Sequence, residues 1–258
     1  IGKFGENNII LLDKLDELVH IGDHFEMIHS IQDVLDDIPA VQLDSGLSKK
    51  FQNGLSFDYF NKDTFQDALL FVQERAKHME YASKVNPGKM LALINPQQKD
   101  IEKILIKDNN ISIANINSAS QTIISGSVKS IEEIILFCKK IKIRAIPLPV
   151  SGAFHSNLMM PASEALLNTL NQLNLADSMM PIYQNINALP ENRKEHLRGN
   201  LKNQIVSSVQ WKQTIENLIK DGASQFIEIG PKQILTNLIK KSHPNLKSCC
   251  FEEFMRHE

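Results

Sequence analysis

Lys89-Met90-Leu91-Ala92-Leu93-Ile94 opens the stretch of sequence that decides the fold. This apolar run reads as a strand, and Gln97–Leu105 after it reads as a helix. Ile111–Asn117 and Thr122–Ser125 read as paired strands, Ile131–Lys140 as a second helix and Ala145–Val150 as a last strand. The order β-α-β-β-α-β is the signature of a ferredoxin-like unit built on an antiparallel sheet. Residues 87–153 are therefore expected to form a small subdomain inserted into a larger one.

The flanks supply that larger body, residues 1–86 and 154–258. Upstream, Ile9, Ile10, Leu12, Leu15 and Leu18 and then Phe25, Ile28, Ile31 and Leu35 recur at helical spacing. They predict two helices that break near Gly22, with Asp23 capping the second. Pro39–Leu43 reads as a short strand. Asp63-Thr64 caps a further helix through Phe65, Ala68, Leu69, Val72 and Ala76. Downstream, Pro161–Leu173 reads as a helix, and Val209–Lys220, Gln225–Ile229 and Gln233–Lys241 as helix, strand and helix. Gly230-Pro231 punctuates the last turn.

The composition excludes several classes. A formal net charge of -2 over 258 residues argues against nucleic acid as the main ligand, which would call for excess Lys and Arg. No apolar run is long enough to span a bilayer, and no signal-peptide pattern opens the chain. Cys138, Cys249 and Cys250 form neither a CxxC pair nor a disulfide framework, so a cytoplasmic protein is expected. The eight histidines show no ligand spacing with Cys, Asp or Glu, so no metal is expected.

Four segments carry a family resemblance. They are Asn115–Gln121 with Ile124-Ser125-Gly126; Pro147–Ser156 with Leu158-Met159 and Pro161-Ala162; Gln204 with Val209-Gln210-Trp211; and Phe226–Pro231 with Ile234-Leu235 and Leu238-Ile239. In that order they resemble the bacterial malonyl-CoA:acyl-carrier-protein transacylases and the acyltransferase domains of polyketide synthases. The resemblance implies an α/β acyltransferase fold, with an α/β-hydrolase-like large subdomain and the ferredoxin-like insertion. It also implies transfer of a malonyl group from coenzyme A, through a seryl ester, to the phosphopantetheine thiol of an acyl carrier protein. Malonyl-CoA is then a substrate, no bound cofactor is needed, and a monomer is the expected state.

The same resemblance assigns roles. His155 becomes the general base, with the backbone carbonyl of Gln204 holding its other ring nitrogen, because a serine hydroxyl needs such help to attack. Taken alone, a histidine beside Phe154 reads as structural rather than catalytic. Arg75 matches the arginine that pairs with the malonyl carboxylate, for which a guanidinium fork offers two parallel donors. Its plain alternative is a solvated helix arginine pairing with Glu74 or Glu80. Phe154 goes with malonyl, because a ring against C2 leaves little room for an α-methyl group. Asn117, in the Asn-rich turn, joins the substrate-binding set.

Two family motifs do not occur. Nothing in Ile1–Asn8 reproduces the opening Pro-Gly-Gln-Gly loop, so the first strand of the core sheet is expected to be absent from the chain. No Gly-x-Ser-x-Gly elbow occurs either, although a nucleophile on a strained strand-to-helix turn calls for small neighbours. Counting back from Asp67-Ala68-Leu69 without gaps reaches Lys50. A two-residue slip reaches Ser48, which reads as nucleophile or helix N-cap, and Ser56 is a second candidate. Lys49 and Lys50 beside Ser48 would crowd an oxyanion donor, whose loss costs about 3–4 kcal/mol. Three functions follow: a transacylase of impaired activity, an acyl-carrier-protein hydrolase, or a non-catalytic module that docks a carrier protein. Lys139, Lys140, Lys142, Arg144 and Lys240-Lys241 are either a patch for an acidic carrier protein or solvated faces.

Overall fold

The computed structural model describes residues 2–4, 9–13, 62–178, 180–229 and 233–257. In chain order these hold β1 (Gly2–Phe4), β2 (Ile9–Asp13), α1 (Lys62–Val85), β3 (Gly88–Ile94), α2 (Gln98–Lys107), β4 (Ser112–Ser118) and β5 (Gln121–Ser127). Next come α3 (Val128–Lys140), β6 (Arg144–Pro147), a 3-10 turn (Asn157–Met159), α4 (Met160–Gln172), β7 (Ile182–Tyr183) and β8 (Pro190–Glu191). The chain continues through α5 (Lys194–Gln204), α6 (Trp211–Lys220), β9 (Gln225–Ile229), α7 (Ile234–Ser242), β10 (Lys247–Cys250) and α8 (Phe251–His257).

Two sheets result. Residues 88–147 form a four-stranded antiparallel sheet in the order β4-β5-β3-β6. Each crossover helix is started by a local side chain. The Asp100 carboxylate accepts from the Gln97 N–H at 3.1 Å ahead of α2, and Ser127 Oγ accepts from the Ser130 N–H at 3.0 Å at the start of α3. Such caps satisfy donors that have no partner inside the helix. The two helices cover the sheet over a core of Leu91, Leu93, Ile104, Ile124, Ile131, Ile134 and Cys138. Each Leu or Ile fully buried there contributes about 1.5–3 kcal/mol.

The second sheet has six strands in the order β10-β9-β2-β1-β7-β8. β10 and β2 run parallel to β9 on either side of it. The helix expected at residues 9–13 is thus a strand. Ile9-Ile10-Leu11-Leu12 is a continuous apolar run, and periodicity alone does not separate a buried strand from a buried helix. Its place beside β9, with Ile9 opposite Gln225 and Asp13 opposite Ile229, settles the matter. The expected elements at 15–43 lie outside the described residues.

α1 and α4 pack along one another and frame the site. Phe71, Met79 and Ala82 of α1 meet Met159 and Ala162, Leu166 and Leu170 of α4 in one buried cluster, which also holds Phe154. A third cluster, Tyr183, Trp211, Ile215, Leu218, Phe226 and Ile239, lies under α6 and α7. The segment between α5 and α6 is tied to the four-stranded sheet through the backbone of Val209. Its N–H donates to the Ala114 carbonyl at 2.7 Å, and its carbonyl accepts from the Ile116 N–H at 2.9 Å, on the outer edge of β4.

Candidate active site

The segment leaving β6 runs into a tight turn before α4, and His155 sits on that turn. It is 1% exposed and has φ of 59°, in the left-handed region where a residue with a Cβ is strained by about 1–2 kcal/mol. The surroundings hold it there. Ser156 Oγ donates to the Ala153 carbonyl at 2.5 Å and accepts from the Leu158 N–H at 3.3 Å, closing the turn beneath the imidazole. Gly152 gives the turn room to approach α1: a Cβ there would lie 2.3 Å from Ser83 Oγ and 2.9 Å from Phe154 Cε1. Strain of this kind persists only where packing over-determines it, and it concentrates at functional sites.

The imidazole is oriented from across the chain. His155 Nδ1 lies 2.9 Å from the carbonyl oxygen of Gln204. A carbonyl has no proton to give, so Nδ1 carries the hydrogen and Nε2 carries the lone pair of the neutral ring. The acceptor has a second property. Gln204 is the last residue of α5, so its carbonyl belongs to the final turn, whose carbonyls have no N–H donors left to pair with inside the helix. The negative end of the helix dipole gathers there and favours a cation. An imidazolium formed at His155 is thus stabilised by a helix end, where a protease triad uses a carboxylate.

The Gln204 turn is itself fixed. The Ser207 N–H donates to the same carbonyl at 3.3 Å, and the Gln204 side-chain amide donates to the Ser207 carbonyl at 3.0 Å. Beyond it, Val209 is held by β4, and the Gln210 N–H donates to the Asn185 carbonyl at 2.8 Å. The sequence reading found Gln204 but not α5, which presents it. Leu197 and Leu201, four residues apart, were the available signal in an otherwise polar stretch.

Arg75 lies on the buried face of α1, on one stripe with Phe71, Met79 and Ala82, and is 5% exposed. It is not the solvated arginine that was one reading of the sequence. Glu74 instead pairs with Lys77 at 2.8 Å, and Glu80 pairs with Lys84 at 2.6 Å. A guanidinium in such surroundings is costly unless negative or accepting groups meet it. Phe154, 6% exposed, packs into the same cluster as that stripe. The arginine-bearing helix and the histidine turn therefore share one core.

Asn117 is half-buried on β4, with its amide donating to Gln121 Oε1 at 3.0 Å. Ser48 and Ser56 lie outside the described residues. Glu228 was not singled out from the sequence, though a carboxylate inside the apolar run Phe226-Ile227-Glu228-Ile229 was a signal. It is 0% exposed and accepts from the Leu235 and Thr236 N–H groups at 3.0 and 2.9 Å. A charge there meets the positive end of α7. Among the described residues no group of His, Cys, Asp and Glu could hold a metal ion, and no helix is long and apolar enough to cross a membrane.

The family model for the acyl transferase domain matches residues 61–251. The malonyl CoA-acyl carrier protein transacylase of Bacillus subtilis (strain 168) is 31% identical over 262 residues, covering 95% of this chain and 83% of that protein. A crystal structure of acyl-carrier-protein-S-malonyltransferase from Bartonella henselae superposes with a TM-score of 0.69 at 32% identity, covering 74% of this chain and 63% of that one. A solved complex of a type II PKS acyl-carrier protein with its malonyl-transacylase superposes with a TM-score of 0.68 at 29% identity. It shares 72% of this chain and 62% of the other. The chain thus spans less than two thirds of both solved relatives. A buried, strained histidine held by a helix-end carbonyl, on the α/β architecture these proteins share, accords with that likeness: the chain belongs to the acyl transferase family that includes the malonyl-CoA:acyl-carrier-protein transacylases.

Proposed function

We propose that this chain moves a malonyl group from coenzyme A to the phosphopantetheine thiol of an acyl carrier protein, with His155 as the general base. The observation that carries the reading is the 2.9 Å contact between His155 Nδ1 and the Gln204 carbonyl at the end of α5. It leaves Nε2 as the basic nitrogen. A serine hydroxyl gives its proton to Nε2 as its oxygen attacks the thioester carbonyl. The C–S bond then breaks, and the imidazolium returns the proton to the departing coenzyme A thiolate. The second half runs in reverse, with the pantetheine thiol attacking the seryl ester and His155 again carrying the proton.

Arg75 pairs with the free malonyl carboxylate, Phe154 lies against C2, and Asn117 lines the small-sheet side of the substrate. Ser48 is the proposed nucleophile and Ser56 the second choice. Residues 87–153 act as the inserted subdomain, and residues 1–86 with 154–258 as the main body. A buried guanidinium fork suited to a carboxylate favours this reading over a hydrolase of neutral acyl chains, which has no use for Arg75.

The sequence around Ser48 also supports a slow enzyme. Lys49 and Lys50 stand where small residues would give the oxyanion its backbone donor, and the loss of one such donor lowers the rate by about two to three decades. The limiting case is a module that binds carrier protein without acylating it. The test is incubation with malonyl-CoA and holo carrier protein, followed by mass spectrometry of the carrier. Malonylated carrier protein is expected, formed slowly. Binding of carrier protein with no transfer over hours would replace the transferase reading with the docking module.

A further inference from the structure

The last turn of α5 exposes carbonyl groups that the helix itself cannot pair, and the structure accounts for three of them. The Asn203 carbonyl accepts from the Val206 N–H at 3.2 Å, and the Gln204 carbonyl from the Ser207 N–H and from His155. The Lys202 carbonyl accepts from the hydroxyl of Ser163 at 3.0 Å. Ser163 stands in the first turn of α4 and is 2% exposed. A serine within a helix ordinarily turns its hydroxyl back onto its own preceding turn. Here the donor reaches another helix, 39 residues along the chain.

This bond closes a ring. From His155 the chain passes through the 3-10 turn into α4 and reaches Ser163. The Ser163 hydroxyl holds the last turn of α5, and two residues further on Gln204 returns to His155 Nδ1. The turn that carries the histidine leads into α4, and α4 is thus clamped to the helix that carries the acceptor, next to the point where the two groups meet. The clamp bears on alignment, because the Nδ1–carbonyl bond weakens steeply as its angle opens.

We propose that Ser163 is a positioning residue for His155, setting where the Gln204 carbonyl stands and so the orientation and tautomer of the imidazole. The inference rests on the catalytic role proposed for His155, but its main readout does not depend on activity. The Nδ1 proton of His155 gives its own signal in nitrogen–proton NMR, and exchange of that proton with water reports how firmly the carbonyl holds it. In Ser163→Ala, loss of one buried hydrogen bond should raise that exchange rate about fivefold and shift the signal upfield. Malonyl transfer should lose about fivefold in kcat with KM for malonyl-CoA unchanged. Ser163→Thr, which keeps the hydroxyl, should restore both.

A signal and exchange rate unchanged in folded Ser163→Ala would overturn the proposal and leave Ser163 as simple packing between helices. Equal losses in the Ala and Thr variants would do the same. If Ser163→Ala does not fold, Ser163→Cys keeps the volume with a weaker donor and should show a smaller shift in the same direction; wild-type behaviour there would also overturn the proposal. A protein inactive in every form, whose Nδ1 signal still follows the hydroxyl, would refute the transferase reading and leave the clamp standing.

Discussion

Replacing Gly152 by alanine tests whether the histidine turn is as tightly packed as the structure shows. The added Cβ would stand 2.3 Å from Ser83 Oγ and 2.9 and 3.0 Å from Phe154 Cε1 and Cζ. Heavy atoms in favourable contact sit about 3.5–4.0 Å apart, so Ser83 Oγ must retreat by more than about 1 Å and the Phe154 ring by about 0.5–1 Å. Ser83 Oγ donates to the Met79 carbonyl at 2.9 Å, and losing that bond costs about 1 kcal/mol. The Phe154 ring is 6% exposed within the α1–α4 core, where overpacking adds about 1–3 kcal/mol. The sum is a loss of about 2–4 kcal/mol, measured by urea unfolding of wild type and variant. The cost also falls on chemistry, because Phe154 is bonded directly to His155, and a misplacement of about 1 Å can reduce turnover about a hundredfold. Adding Ser83→Ala removes the nearest clash and should recover about 1 kcal/mol in a double-mutant cycle. Wild-type stability in Gly152→Ala, or additive losses in the double variant, would refute the reasoning.

Three further outcomes follow from the same structure. Glu228→Ala removes a buried carboxylate from two N–H groups of α7 and should cost about 3 kcal/mol in denaturant unfolding, with Glu228→Gln between it and wild type. Hydrogen bonds from the Arg193 N–H, and then from His196 and the Asn192 N–H, hold the Glu191 carboxyl down at about 2, well below its ordinary value of 4.5. Because the folded form has the lower pKa, its stabilisation is complete above about 4.5 and fades as pH falls towards 2. Urea midpoints across that window should drop less in Glu191→Gln than in wild type, and an equal drop would count against the assignment. Burial pushes the Cys138 thiol up to about 11, so iodoacetamide at pH 8 should leave it unmodified in native protein and label it on unfolding.

Much of the residue 88–147 unit was legible in the sequence, because its short apolar runs and capped helices alternate in an order that few topologies accommodate. The strand Gln225–Ile229 was read to the residue. Other elements were not. Residues 9–13 were read as a helix because Ile and Leu runs satisfy both periods, and only the parallel neighbour β9 chooses between them. β7 and β8 have two residues each, too few to show any period, and β10 was not read at all. α5 escaped because its apolar content is low and its N-cap residue, Arg193, supplies no side-chain cap; the acceptor at its start comes from Asp177, 17 residues away in the chain.

The site divides in the same way. The pairing of His155 with the Gln204 carbonyl was reachable from motif resemblance, since a backbone acceptor leaves no mark in composition. The burial of Arg75 was not reachable. Its neighbours Glu74, Lys77 and Glu80 suggest a solvated face, and only the stripe from Phe71 to Ala82 shows that the arginine points inward. Ser163 gave no signal, because a cross-helix hydroxyl bond depends on where another helix ends.

The most direct test of the central claim is intact-protein mass spectrometry after brief incubation with malonyl-CoA, with peptide mapping of any adduct. A malonyl group on Ser48, absent from His155→Ala and from Ser48→Ala and discharged by carrier protein, is the predicted result. An adduct that forms equally well without His155 would contradict the account, because the buried imidazole and its helix-end carbonyl would then have no part in the chemistry.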